Sequence, residues 1–186
     1  MAEAYTPCGK SVLLHICCAP CGGPCVERLL NAGCRVELYY SNSNIDTLEE
    51  YEKRLHWVRV LAEHYGVKLH TDPYDHGDWL SCAGGLAGEP EGGARCRTCF
   101  RRVLGRTRGM MERLGLECFT TTLTVSPHKS SRMIFACGGE FPGFEAVDFK
   151  KLNGFARSVE IAKALGFYRQ QYCGCEFGRI AADPEK

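Results

Sequence analysis

The stretch Leu13-Leu14-His15-Ile16-Cys17-Cys18-Ala19-Pro20-Cys21 decides how the chain reads. Its apolar first part, taken back to Ser11, has the composition of a buried strand, and it stops at two adjacent cysteines. A proline, a third cysteine and Gly22-Gly23-Pro24 follow before a helical pattern begins. Neighbouring side chains of a strand point to opposite faces, so Cys17 and Cys18 share a site only where the strand has ended. Pro20, Gly22 and Gly23 predict a turn there, with Pro24 opening a helix over 25–32 and Gly33 stopping it.

Beyond that helix, Arg35–Tyr40 reads as a second strand that runs into the polar loop Ser41-Asn42-Ser43-Asn44. Thr47 with Glu50 fits a capping box. The next helix lines up Leu48, Tyr51, Leu55, Val58, Leu61, Ala62 and Tyr65, with Glu50 four before Arg54, and ends at Gly66. Val67–Thr71 is a third strand. Strand–helix–strand–helix–strand is the pattern of a parallel sheet with right-handed crossovers. Asp72 to Ala94 is rich in Gly, Pro and Asp and reads as a functional excursion with one short helix near Trp79. Cys96 opens a helix striped by Phe100, Val103, Leu104, Met110, Met111 and Leu114 and closed by Gly115. Cys118–Val125 is strand-like, a helix follows over about 130–136, and a last helix covers 158–165 with Gly166 behind it. The expected fold is an open three-layer α/β parallel-sheet domain spanning 1–186, with a tail at about 168–178. In such sheets ligands bind beyond the carboxyl ends of the strands. The Cys17-Cys18 turn lies there if the first strand is central.

The totals narrow the class. With 45% apolar and 24% charged residues, the 186-residue chain has the composition of a globular protein rather than a disordered one. Thirteen cysteines cannot all pair within one chain. The N-terminal M-A-E-A-Y-T-P-C-G-K lacks a basic segment followed by a long apolar one, and no apolar run approaches a membrane span. A reducing cytoplasm is the expected setting, and there clustered cysteines point to metal or catalysis rather than to a disulfide framework. Charge is uneven: residues 1–94 hold 7 Lys and Arg against 13 Asp and Glu, and residues 95–186 hold 16 against 9. The densest part, Arg95 to Arg113, reads either as a phosphate-binding face or as an ordinary solvated helix surface.

Three cysteine groups carry the chemistry. Cys17-Cys18-Ala19-Pro20-Cys21 is the first. The second, Cys96-Arg97-Thr98-Cys99, stands at a helix start, where free N–H groups favour thiolate. Two pairs from distant parts of the chain make a four-thiolate site that suits zinc or an iron–sulfur cluster. An adjacent Cys-Cys is a poor zinc knuckle, which favours iron–sulfur. The third, Cys173-Gly174-Cys175, reads as a redox dithiol, with further metal ligands or a chance pair as alternatives. Cys21 lies within reach of the first turn, His15 reads as a satisfied buried histidine, and Asp75 is an oxygen ligand or a turn residue.

Taken together, these pieces resemble the cobalamin-independent epoxyqueuosine reductases of the QueH type. The resemblance rests on L-L-H-I-C-C-A-P-C at 13–21, E-Y-E-K-R-L at 50–55, P-Y-D at 73–75 and E-P-E-G-G-A-R-C-R-T-C-F at 89–100. T-T-L-T-V-S-P-H-K at 121–129, D-F-K-K-L-N-G-F-A-R-S at 148–158 and Y-R-Q-Q-Y-C-G-C-E-F at 168–177 complete it. It implies reduction of epoxyqueuosine to queuosine in tRNA, with the epoxide oxygen lost as water. It further implies a 4Fe–4S cluster on Cys17, Cys18, Cys96 and Cys99 and a redox-active pair at Cys173 and Cys175. An additional mononuclear iron is expected beside the cluster, with Cys21 and Asp75 as candidate ligands. The implied partners are the anticodon stem–loop of tRNA and an electron donor, with no membrane. The domain is also similar to the adenine-nucleotide α-hydrolase (HUP-like) group. That group's S-G-G-x-D-S phosphate turn is replaced here by Cys18-Ala19-Pro20-Cys21-Gly22-Gly23, so ATP use is not expected. The competing readings are a zinc-stabilised RNA-binding module and a tRNA thiolation enzyme.

Overall fold

A computed structural model describes residues 5–178; the ends of the expected 1–186 span lie outside the described residues. The strands β1 (Ser11–His15), β2 (Arg35–Tyr40), β3 (Lys68–Thr71) and β4 (Cys118–Thr121) form one parallel sheet in the order β3-β2-β1-β4. The order reverses beside β1, which pairs Leu13 with Glu37 on one side and with Phe119 on the other. β1 is therefore central, as expected, and its carboxyl end is a topological switch point.

Alternation along the strands sorts side chains into two layers. Val12, Leu14, Leu38 and Tyr40 pack with α1 (Ala19–Asn31), α2 (Leu48–Tyr65) and α6 (Gly154–Ala164). Leu13, Tyr39 and Phe119 face the other way, against α4 (Ala94–Leu114) and α5 (Ser131–Gly138). All five residues of β1 are buried, the signature of a strand covered on both faces. Among the described residues, no helix is long and apolar enough to cross a membrane.

Four expectations need correction. The turn after β1 is only Ile16-Cys17-Cys18, and α1 begins at Ala19 rather than after Pro24. Gly22 and Gly23 are helical; they permit close packing, because a Cβ on Gly22 would stand 2.4 Å from Ile16 Cδ1 and one on Gly23 would stand 3.0 Å from Ile161. The strand expected over 118–125 ends at Thr121, whose hydroxyl accepts from the Leu123 N–H and starts a 3-10 turn over Thr122–Val125. The last helix starts earlier than expected, at Gly154. Thr47 does cap α2 by accepting from the Glu50 N–H, but the Glu50 carboxylate turns to Arg54 instead of closing the box. The excursion holds α3 (His76–Ala83) around Trp79, followed by a 3-10 turn at Gly84–Leu86.

Candidate active site

β1 delivers the first cysteines to the carboxyl end of the sheet. The Asn42 amide donates to the Ile16 carbonyl (2.9 Å), and the Cys17 N–H donates to the Thr122 hydroxyl (3.2 Å). The chain is thereby held between β2 and β4 as it turns into α1. The Sγ atoms of Cys17, Cys18 and Cys21 all lie within 4.8 Å of one another. Because Ala19 begins the helix, Cys21 comes round beside the adjacent pair. Cys25, one turn further on, donates to the Cys21 carbonyl (3.2 Å) and belongs to the core.

The three thiols are not equivalent. Hydrogen bonding from Cys18 and Cys21 holds the Cys17 thiol well below the usual range despite burial, helped by the positive charge of Lys129 and the Thr122 hydroxyl. Cys18 is pushed up to about 12, first by its bond to Cys17, and Cys21 is pushed up in the same way. Cys17 is thus the member of the group that ionises most readily, and Cys18 and Cys21 hold their protons more tightly. Two outside donors also reach its sulfurs: the Thr122 hydroxyl donates to Cys17 (3.3 Å) and the Gln170 amide to Cys18 (2.9 Å).

A cavity of about 560 Å³ opens over this group, and Cys17, Cys21, Cys96, Cys99, Cys173 and Cys175 all line it. Cys96 and Cys99 project from the first turns of α4. Burial raises the pKa of both, Cys99 to about 12, so the expected thiolate at the helix start is overridden by desolvation. The sulfurs of Cys17, Cys18 and Cys21 form a group that could hold a metal ion; Cys96 and Cys99 share the cavity but are not part of that group.

Cys173 and Cys175 face each other across 3.6 Å. Gly174 between them has φ 131°, and a Cβ there would meet Ile45 Cγ1 at 3.0 Å. Its carbonyl accepts from the Asp46 N–H (2.9 Å). A hydrogen bond from Cys175 lowers the Cys173 pKa to about 6, with Lys129 adding to the effect, while Cys175 is driven far up. The turn is anchored to α2: the buried Arg54 donates to the carbonyls of Cys173 (3.0 Å) and Tyr172 (3.4 Å) and pairs with Glu50 (2.7 Å). Tyr168 also donates to the Glu50 carboxylate (3.2 Å).

Other candidates fall in different places. His15 borders the cavity, kept neutral by burial; its Nδ1 meets Thr121 Oγ1 at 2.9 Å, but its Nε2 has no hydrogen-bond partner among the described residues, so it is only half satisfied. Asp75 is exposed and caps α3 by accepting from the Asp78 N–H (2.9 Å); it does not line the cavity. The arginines of α4 are largely engaged within the chain. Arg95 is buried and donates to the Ala87 carbonyl (3.0 Å). Arg101 pairs with Glu140, Arg102 with Asp78, Arg106 with Asp72 and Arg108 with Glu112. Arg97 is exposed. Arg54, Thr122 and Gln170 emerge as site residues only in three dimensions, although each lies in a motif quoted above; Lys129, a candidate phosphate contact in the sequence, turns out to border the cysteines.

A family profile described as "Epoxyqueuosine reductase QueH" matches residues 12–181. A Streptococcus pyogenes protein named epoxyqueuosine reductase QueH is 36% identical over 179 residues, covering 90% of this chain and 69% of that protein. A Thermotoga maritima protein of the same name is 33% identical over 178 residues, 91% of each chain. One from Haemophilus influenzae is 33% identical over 174 residues, covering 90% of this chain and 71% of its own.

Proposed function

The chain belongs to the epoxyqueuosine reductase QueH family, and from that premise we propose that it removes the epoxide oxygen of epoxyqueuosine in tRNA to give queuosine. The observation that carries the reading is the meeting of two cysteine devices on one cavity: the Cys17, Cys18 and Cys21 group and the facing Cys173–Cys175 pair. The reaction takes two electrons and two protons. Two thiols that become a disulfide release that number, so epoxide plus dithiol balances alkene, water and disulfide. Both epoxide C–O bonds break, both sulfurs are oxidised, and the oxygen leaves as water. An external thiol-type reductant, as a reducing cytoplasm would provide, returns the disulfide to the dithiol.

The chain's own groups suit these demands. Cys173 is the ionised member of the pair near neutral pH, having already given its proton to solvent, so Cys175 supplies one of the departing oxygen's two protons and solvent the other. Lys129 borders the same cavity, and its pKa is raised because the facing thiolates outweigh burial. Its ammonium offers positive charge where oxygen develops negative charge. Three sulfurs within 4.8 Å fit a metal group. In our reading Cys17, Cys18, Cys96 and Cys99 hold a 4Fe–4S cluster, and Cys21 is left for a further iron, while Asp75 stays with its helix. A cluster and iron there would supply one-electron transfer and Lewis acidity.

The zinc-module and thiolation readings are weaker. The link from β1 to α1 is three residues long and contains no phosphate-cradling glycines. Anaerobic purification with iron, sulfide and zinc measured together tests the metal assignment. Brown protein with iron and labile sulfide is expected; stoichiometric zinc in colourless protein overturns it. Cys173→Ser and Cys175→Ser are expected to abolish multiple turnover with a thiol reductant, and undiminished turnover would remove the dithiol from the mechanism.

A further inference from the structure

The segment Phe149–Phe155 takes no part in the chemistry above, yet it has an unusual build. Leu152 and Asn153 both have φ 58°, the left-handed region, and among the described residues they are the only non-glycines there. For leucine that conformation is disfavoured, and its side chain is 72% exposed; the turn leads into α6, where Asn153 is the N-cap and its carbonyl accepts from the Arg157 N–H (2.9 Å). Phe155 is 43% exposed and lines the cavity mouth. Lys150 fastens the segment beside that mouth, donating to the carbonyls of Ser126 (3.2 Å) and Lys129 (2.5 Å). Phe155 is therefore held exposed where it lines the cavity, and Leu152 is exposed three residues before it on the same pinned backbone.

The charges around them point to one kind of partner. Lys129 and Arg169 line the same cavity, and exposed Lys151 adjoins Leu152. Glu91 is the one carboxylate among the lining residues. Cations interleaved with an exposed aromatic at the entrance to a cavity suit an unstacked nucleic-acid base between phosphates. Four of the α4 arginines, Arg101, Arg102, Arg106 and Arg108, pair instead with Glu140, Asp78, Asp72 and Glu112, while Arg97 stays exposed. We propose that the Leu152–Phe155 segment is the docking surface for the single-stranded loop of the RNA. Phe155 stacks on a base flanking the modified nucleotide, and Leu152 wedges against its neighbour. This rests on the tRNA substrate proposed above but moves its contact surface from α4 to the cavity mouth.

The test is binding of a short anticodon stem–loop RNA, by fluorescence anisotropy, to anaerobically purified protein. Phe155→Ala is expected to weaken binding by roughly fivefold or more, and Phe155→Trp to retain it. Leu152→Gly relieves the backbone, so it should weaken binding while the melting temperature holds or rises. Arg101→Gln on α4 should change binding by less than about twofold. Binding that is indifferent to both Phe155→Ala and Leu152→Gly overturns the proposal. So does a wild-type dimer that Phe155→Ala makes monomeric, because the patch would then cover a second copy. Turnover of epoxyqueuosine-bearing RNA by the wild type, measured alongside, separates the two failures. Turnover with Phe155-independent binding sinks the docking surface alone; Phe155-dependent binding without turnover sinks the activity alone.

Discussion

At the scale of single residues, the site works by making like groups unlike. The hydrogen bond between the two sulfurs, with Lys129 adding to it, places Cys173 at about 6, while the same bond and burial drive Cys175 up. The pair thus holds one proton across neutral pH, which makes reactivity a more sensitive readout than stability. Alkylation requires thiolate. In reduced protein the Cys173 alkylation rate should rise with pH and reach half its plateau near pH 6, against about 8.5 for a free thiol. Cys175→Ala removes the largest cause of the depression and should move that midpoint upward. Peptide mass spectrometry after timed iodoacetamide quenching reads both, and a wild-type midpoint near the free-thiol value would refute the assignment. Spacing made the two cysteines candidates in the sequence. Their inequality was not legible there, because it comes from one hydrogen bond and from Lys129, more than forty residues away in the chain.

At the scale of elements, helix propensity misleads where packing demands small residues. Pro20, Gly22, Gly23 and Pro24 are poor helix formers, so the sequence places a turn where α1 already runs. Contact with Ile16 and Ile161 overrides propensity, because α1 must pass close to both. Gly22→Ala should therefore destabilise the protein by about 1–3 kcal/mol through overpacking, although alanine is the better helix former; thermal or urea unfolding gives the sign. α2 carries a second lesson. Glu50 and Arg54 read as an i,i+4 pair supporting the helix, and they do pair, but Arg54 is also buried and ties the Cys173 turn to the helix. Arg54→Met leaves Glu50 without its cation and the turn without its anchor. A loss of about 3 kcal/mol is expected in urea unfolding. Arg54→Lys restores charge without the forked donors, so it should recover more stability than turnover. The first three strands, α2, Gly66 and the Thr47 cap were legible because their signals are local, whereas the fourth strand ends four residues before its β-branched run does. The grouping of Cys21 with Cys17 and Cys18 was not, because it depends on where α1 begins.

At the scale of the whole molecule, the parallel sheet puts β1 at the centre and brings segments far apart in sequence to one cavity. The uneven charge of the two halves suggested a long basic face for RNA along α4. Folding instead draws acids of both halves onto that helix: Asp72 and Asp78 from one, Glu112 and Glu140 from the other. The formal excess of the second half therefore overstates the charge that RNA can meet. The cations left at the cavity are few: Lys129 and exposed Arg169 line it, and exposed Lys151 follows Lys150, which is pinned beside it. Each phosphate neutralised on a single strand contributes about −0.7 to the slope of log K against log salt, so about three contacts predict a slope near −2. A face using most of the α4 arginines would give a slope of about −4 or steeper by the same rule. Anisotropy titrations of the stem–loop at several salt concentrations distinguish the two. Lys151→Glu should flatten the slope by about one contact's worth and Arg101→Gln should leave it unchanged; a steep slope sensitive to Arg101 would return the RNA to α4.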